Sequence, residues 1–69
     1  MGIVIRISAY GEWVRTYFVQ TLDEEEAKEK AFRMFKGYMS CWLPDTLEEA
    51  EMDDGFWVEV LDTVEQIIL

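Results

Sequence analysis

Asp23-Glu24-Glu25-Glu26-Ala27-Lys28-Glu29-Lys30-Ala31-Phe32-Arg33-Met34-Phe35-Lys36-Gly37-Tyr38 is the stretch on which the fold of this chain turns. Thr21-Leu22-Asp23-Glu24 fits a capping box, and so does Asp23 to Glu26 with Asp23 as the N-cap. Acids crowd the first turn and Lys36 lies near the last, as the helix dipole prefers. Ala27, Ala31, Met34, Phe35, Tyr38 and Trp42 recur at helical spacings and form one apolar stripe. The pairs Glu24–Lys28, Glu26–Lys30 and Glu29–Arg33 line the wet side, where Glu25 also belongs. These features predict a helix from about residue 23 to 39 or 40, its last turn weakened by Gly37. Such a helix gains most of its stability by laying its apolar stripe on another element, which the rest of the chain must supply.

Upstream, residues 3–9 are rich in β-branched side chains and alternate. Ile3, Ile5, Ile7 and Ala9 point one way; Val4, Arg6 and Ser8 point the other. Tyr10-Gly11-Glu12 reads as a turn, with Gly11 able to take positive φ. A second strand follows from Trp13 to about Gln20. Its two faces, Trp13/Arg15/Tyr17/Val19 and Val14/Thr16/Phe18/Gln20, are both partly apolar, so pattern alone leaves the buried one open. Downstream, Pro44 separates the long helix from Asp45-Thr46-Leu47-Glu48-Glu49, which offers a fresh N-cap. Residues 45–53 read as a short helix or an ordered acidic loop. Phe56 to Asp62 reads as a strand, with Phe56, Val58 and Val60 on one face and Trp57, Glu59 and Leu61 on the other. Residues 63–69 either continue that strand or form a fourth.

The expected fold is therefore α+β. A small antiparallel sheet of three or four strands, in the order ββα(α)β(β), carries one long helix on one face, and residues 1–69 make a single domain. Phe18, Phe35, Tyr38 and Phe56 are expected in the core. The sheet's far face would carry some of Trp13, Tyr17, Val19, Trp57 and Leu61, a large apolar patch for so small a body.

Charge divides the chain. Residues 1–36 balance six acids against six bases, whereas residues 37–69 hold nine acids and no base, so the net charge of -9 belongs to the C-terminal half. A one-sign field destabilises a compact body by self-repulsion and steers cationic partners toward it. It opposes direct binding of nucleic acid or anionic lipid, which require clustered Lys and Arg. With 51% hydrophobic residues the chain is too apolar for a disordered acidic tail. The single cysteine, Cys41, permits no internal disulfide and suits a reducing compartment. No segment resembles a membrane span or a secretory leader, so a cytoplasmic location is expected.

Enzymatic chemistry finds little to work with. There is no histidine, so Ser-His and Cys-His pairings cannot be built. Cys41 beside Trp42 has no basic neighbour in sequence, and Ser8 and Ser40 have no partner. The carboxylates Glu48, Glu49, Glu51, Asp53 and Asp54 are hard ligands suited to Ca²⁺ or Mg²⁺, but a calcium loop counted from Gly55 puts Ala50, Met52 and Leu61 at ligand positions. No metal, cofactor or catalytic residue is assigned.

In size, charge and sheet-plus-helix order the chain looks like the short acidic proteins that phages encode against host nucleic-acid enzymes: anti-CRISPR proteins, anti-restriction proteins and uracil-DNA glycosylase inhibitors. The likeness matches no residue pattern and transfers no functional residue. It implies a non-enzymatic inhibitor that binds a basic nucleic-acid-handling protein by imitating DNA or RNA charge, in the host cytoplasm if phage-encoded. The candidate contact residues are Glu48, Glu49, Glu51, Asp53, Asp54, Glu59, Asp62 and Trp57. The alternative is an interaction module that docks through an apolar sheet face while the acids serve solubility. The surplus of Trp and Tyr also raises a homodimer through the outer sheet face or an edge strand.

Overall fold

The computed structural model describes residues 1–39 and 44–65. Strand β1 (Gly2–Ala9) leads into β2 (Trp13–Val19), then helix α1 (Glu24–Met39), short helix α2 (Leu47–Glu51) and strand β3 (Phe56–Val64). The sheet has three strands in the order β2-β1-β3, with both pairings antiparallel. This is the α+β architecture expected from the sequence. Because β2 and β3 both run against β1, they are parallel to each other, and their connection has to cross the sheet. The helices make that crossing, and they do so over one face.

The first turn places Tyr10 (φ 56°) and Gly11 (φ 72°) in the left-handed region. Glycine does so freely, but tyrosine pays a steric cost. Contacts from the far end of the chain hold Tyr10 there. Its N–H donates to the Gly55 carbonyl at 2.6 Å and its hydroxyl donates to Asp53 Oδ2 at 2.9 Å. Its ring packs so closely on Gly55 that a Cβ there would come within 2.6 Å of it.

Both helices start as capping rules require. Asp23 Oδ1 accepts from the Glu25 and Glu26 amides, so Asp23 is the N-cap of α1, and Thr21 Oγ1 accepts from the Asp23 amide. Thr46 caps α2 by accepting from the Glu49 amide, while Glu49 Oε2 accepts from the Asp45 amide. Residues 47–51 are thus helix, and Thr63 and Val64 continue β3. Trp42, Cys41, Ser40 and the last part of the proposed fourth strand lie outside the described residues.

Register decides the faces. Ala9 pairs with Trp13, Ile7 with Arg15, Ile5 with Tyr17 and Ile3 with Val19. Directly paired residues project to the same side. The helix side therefore carries Ile3, Ile5, Ile7, Ala9 and Val19, all buried, with Phe56, Val58 and Val60 alongside. Some of Trp13, Tyr17, Val19, Trp57 and Leu61 had been expected on the far face; pairing keeps Trp57 there and puts Trp13, Tyr17 and Val19 on the helix side of the sheet. A bulge at Val4/Ile5 leaves Leu61 opposite neither, and beyond it the alternation of β3 is inverted.

The helix is rotated from its expected setting. Ala27, Ala31, Phe32, Phe35 and Met39 are buried, whereas Met34 and Tyr38, assigned to the core stripe, are each 45% exposed. The asymmetry of the cover explains the rotation. Toward β3, α2 closes the core with Leu47 and Ala50, and Phe32 and Phe35 both meet the Phe56 ring edge-on at 5.8 Å. Toward β2, no described element lies beyond the strand, so Met34 and Tyr38 face outward. Arg15, although on the helix side, escapes burial by stacking its guanidinium over Tyr38 at 4.4 Å. Of the three helical ion pairs, Glu26–Lys30 closes at 2.9 Å among the described residues.

Candidate interaction surface

Paired residues build the far face of the sheet in rows that run β3–β1–β2. The first is Trp57–Ser8–Val14, the second Glu59–Arg6–Thr16 and the third Asp62–Val4–Phe18, with Val64–Gly2 at the end. No described helix crosses this side. Trp57 is 66% exposed, Val14 53% and Phe18 51%. Of the row centres Gly2, Val4 and Ser8 are small or aliphatic and Arg6 is long, and a shallow hollow of about 330 Å³ is lined by Arg6, Ser8, Val14, Trp57 and Glu59. Arg6 and Glu59 pair across its floor, each side chain about half exposed (49% and 47%). At the other end the Phe18 ring lies across Gly2, where any Cβ would collide with it. Phe18 is thus a surface aromatic rather than the core residue expected from its type.

The eight sequence candidates separate into three groups. Trp57, Glu59 and Asp62 share the far face, and it is the bulge that brings them together. Strict alternation would have turned Asp62 to the helix side. Glu48, Glu49 and Glu51 are exposed on α2, which packs through Leu47 and Ala50 onto the helix-side core, so they belong to the opposite half of the molecule. Asp53 and Asp54 lie in the turn between α2 and β3. Asp54 is exposed, but Asp53 is partly buried and committed to the fold. Its Oδ1 accepts from the Gly55 amide at 2.9 Å, its Oδ2 from the Tyr10 hydroxyl, and its carbonyl from the Phe56 amide at 3.0 Å. The expectation of a freely exposed Asp53 is therefore corrected: its carboxylate ties the first turn to the start of β3.

Arg6, Val14 and Phe18 complete the far face and were not among the candidates. The signal for the two β2 residues was available. Three residues between Ala9 and Trp13 make those two partners, which sends Val14, Thr16 and Phe18 to the side away from Ile3, Ile5 and Ile7. Nothing in the local sequence announces Arg6, because its partner Glu59 lies 53 residues away.

The surface offers apolar contact, one exposed indole and carboxylates; it does not assemble reactive groups. Among the described residues no three acidic or cysteine side chains gather in a way that could hold a metal ion, and no helix is long and apolar enough to cross a membrane. No protein-family model matches the chain, and neither a curated protein nor a solved structure matches it.

Proposed function

We propose that this chain is a non-enzymatic binding module that docks a basic protein surface through the far face of its sheet. The observation that carries the reading is the uncovered row of Trp57 and Val14, with Phe18 beyond. Exposed Trp is among the side chains most often found to dominate binding energy. The occupant follows from charge. A second copy would bring another net charge of -9 against the first, whereas a protein with Lys or Arg around an apolar contact would complement Asp62, which makes no ion pair among the described residues. A homodimer on this face is the competing outcome, and light scattering over a concentration series distinguishes it.

A second reading, imitation of nucleic acid toward a nucleic-acid-handling protein, draws on a different observation. Glu48, Glu51 and Asp54 are exposed and make no ion pair among the described residues. They present charge without internal compensation, as phosphates do.

One experiment separates these readings. Wild-type protein, a Trp57→Ser/Val14→Ser variant and a Glu48→Lys/Glu51→Lys variant serve as baits in an extract of the source cells, and each retained protein is then purified and titrated. Asp53 and Glu49 are left intact because they hold the turn and the α2 cap. Sheet-face docking expects a basic protein kept by the charge variant and lost by the Trp57 variant. The opposite pattern gives the function to nucleic-acid imitation. Equal retention by all three, or by none, overturns both.

A further inference from the structure

At the C-terminal end of the outer edge of β2 lies a groove that shares only Phe18 with the proposed docking face. It encloses about 630 Å³ and is lined by Phe18, Val19, Gln20, Lys30, Arg33 and Met34. One wall is the edge of β2 itself. Its other edge is taken by β1, so its outward N–H and C=O groups have no strand partner among the described residues. The opposite wall is the outward face of α1 at Lys30, Arg33 and Met34; Gly37 and Tyr38, one turn on and also exposed, continue that face. A Cβ at Gly37 would meet nothing within 4 Å, so the wall leaves room there. Arg15, stacked on Tyr38, lies farther along the same edge.

The charge of this groove is opposite to that of the molecule. Arg15, Lys30 and Arg33 are three of the six bases in a chain of net charge -9. Lys30 is held by Glu26, but Arg33 has no carboxylate within ion-pair distance among the described residues. An unpaired strand edge beside exposed Met34 and Tyr38 is a hazard that proteins usually blunt, unless it is meant to be occupied.

We propose that the groove takes an extended acidic segment of a partner protein, which adds to β2 as a fourth strand. The strand edge supplies main-chain hydrogen bonds, and every second side chain of the incoming segment faces α1. Apolar side chains there lie on Met34 and Tyr38, and a carboxylate takes a charge-assisted hydrogen bond from Arg33. A basic segment meets three like charges at the same edge and is rejected. This ligand is opposite in charge to the partner proposed for the far face and enters from the edge; the two surfaces share Phe18, but Arg33 lies in the groove alone and Trp57 on the far face alone, so their tests are separable.

The test uses an acetylated, amidated octapeptide in which Thr alternates with Val or Glu, so that Val and Glu share one face of the strand; it is titrated into the isotope-labelled full chain and followed by amide NMR. Saturable shifts should run along Trp13–Val19 and Lys30–Tyr38. Arg33→Gln, an exposed change that keeps helix propensity, should weaken the peptide roughly tenfold or more, the worth of one hydrogen bond to a charged group. N-methylation of alternate peptide residues separates strand addition from loose charge pairing. One of the two methylation patterns should abolish binding and the other should leave it intact, because only one edge of the added strand faces β2. No saturable shift at millimolar peptide overturns the proposal. So do equal effects of the two methylation patterns, unchanged affinity in Arg33→Gln, or equal binding at the same amides of the same peptide with Lys in place of Glu. Self-association of the protein alone through the β2 amides would assign the edge to a second copy and also overturn it.

Discussion

Replacing Phe32 by Ala, and Met34 by Ala in a separate protein, perturbs the two flanks of one helix and reads out which flank is core. Phe32 is 2% exposed and meets Phe56 edge-on at 5.8 Å, with Lys36 Nζ 5.5 Å above its ring. Truncating a phenylalanine in such a site costs ~3–5 kcal/mol, of which the aromatic pair accounts for ~0.5–1.5 kcal/mol. A domain this small holds only ~3–5 kcal/mol in total. Phe32→Ala should therefore be largely unfolded at room temperature. Phe32→Leu keeps most of the volume and should lose roughly 1–1.5 kcal/mol. Met34 is 45% exposed, so its truncation forfeits about half the burial energy of a methionine, about 1 kcal/mol. Alanine's better helix propensity offsets part of that. Urea titration followed by far-ultraviolet circular dichroism measures all three. With a slope of about 1 kcal/mol per molar, each kcal/mol moves the midpoint by about 1 M. A Met34→Ala loss as large as that of Phe32→Ala, or an unchanged midpoint in Phe32→Leu, would refute this helix setting and restore the stripe expected from the sequence.

Two further outcomes test the fold around the acids and the hairpin. Asp53→Ala leaves the Gly55 amide and the Tyr10 hydroxyl without their acceptor and should cost ~1–3 kcal/mol, whereas the adjacent Asp54→Ala should stay within about 0.5 kcal/mol; thermal melts of the pair decide it. The Tyr17 hydroxyl is buried without a hydrogen-bond partner among the described residues. Tyr17→Phe should therefore be neutral or raise stability by about 1 kcal/mol, and a loss of that size would show that the hydroxyl has a partner.

Element boundaries were legible because their causes are local. Asp23 and Thr46 cap the helices that follow them, Gly11 takes the positive φ of the first turn, and β-branched runs become strands at nearly the residues where the alternation begins and ends. Charge asymmetry was legible for the same reason, since it requires only counting. The candidate surface was legible in part. Trp57 could be suspected from residue type, and the side taken by Val14 and Phe18 from the turn length, but not that β3 would dock beside β1 and bring them onto one face. Phe18 reads as core until hairpin pairing places it opposite Val4, and Arg6 acquires Glu59 only when β3 docks beside β1.

What the sequence determined by itself is thus the set of amphipathic pieces and their order. The tertiary structure decided which side of each piece is wet. An apolar stripe can be rotated by about 50°, half of one residue's step around the helix, without losing its pattern, and only the arrival of α2 beside β3 chooses Phe32 over Met34. A strand of alternating residues has a defined parity only as long as no bulge interrupts it; the one opposite Val4 and Ile5 moves Asp62 to the far face. Even the acids divide by this rule. Glu48, Asp53 and Glu59 are close in sequence and chemically alike, yet one faces water, one ties two turns together and one pairs with an arginine. Burial and pairing depend on contacts between residues far apart in the chain, and composition and periodicity do not contain that information.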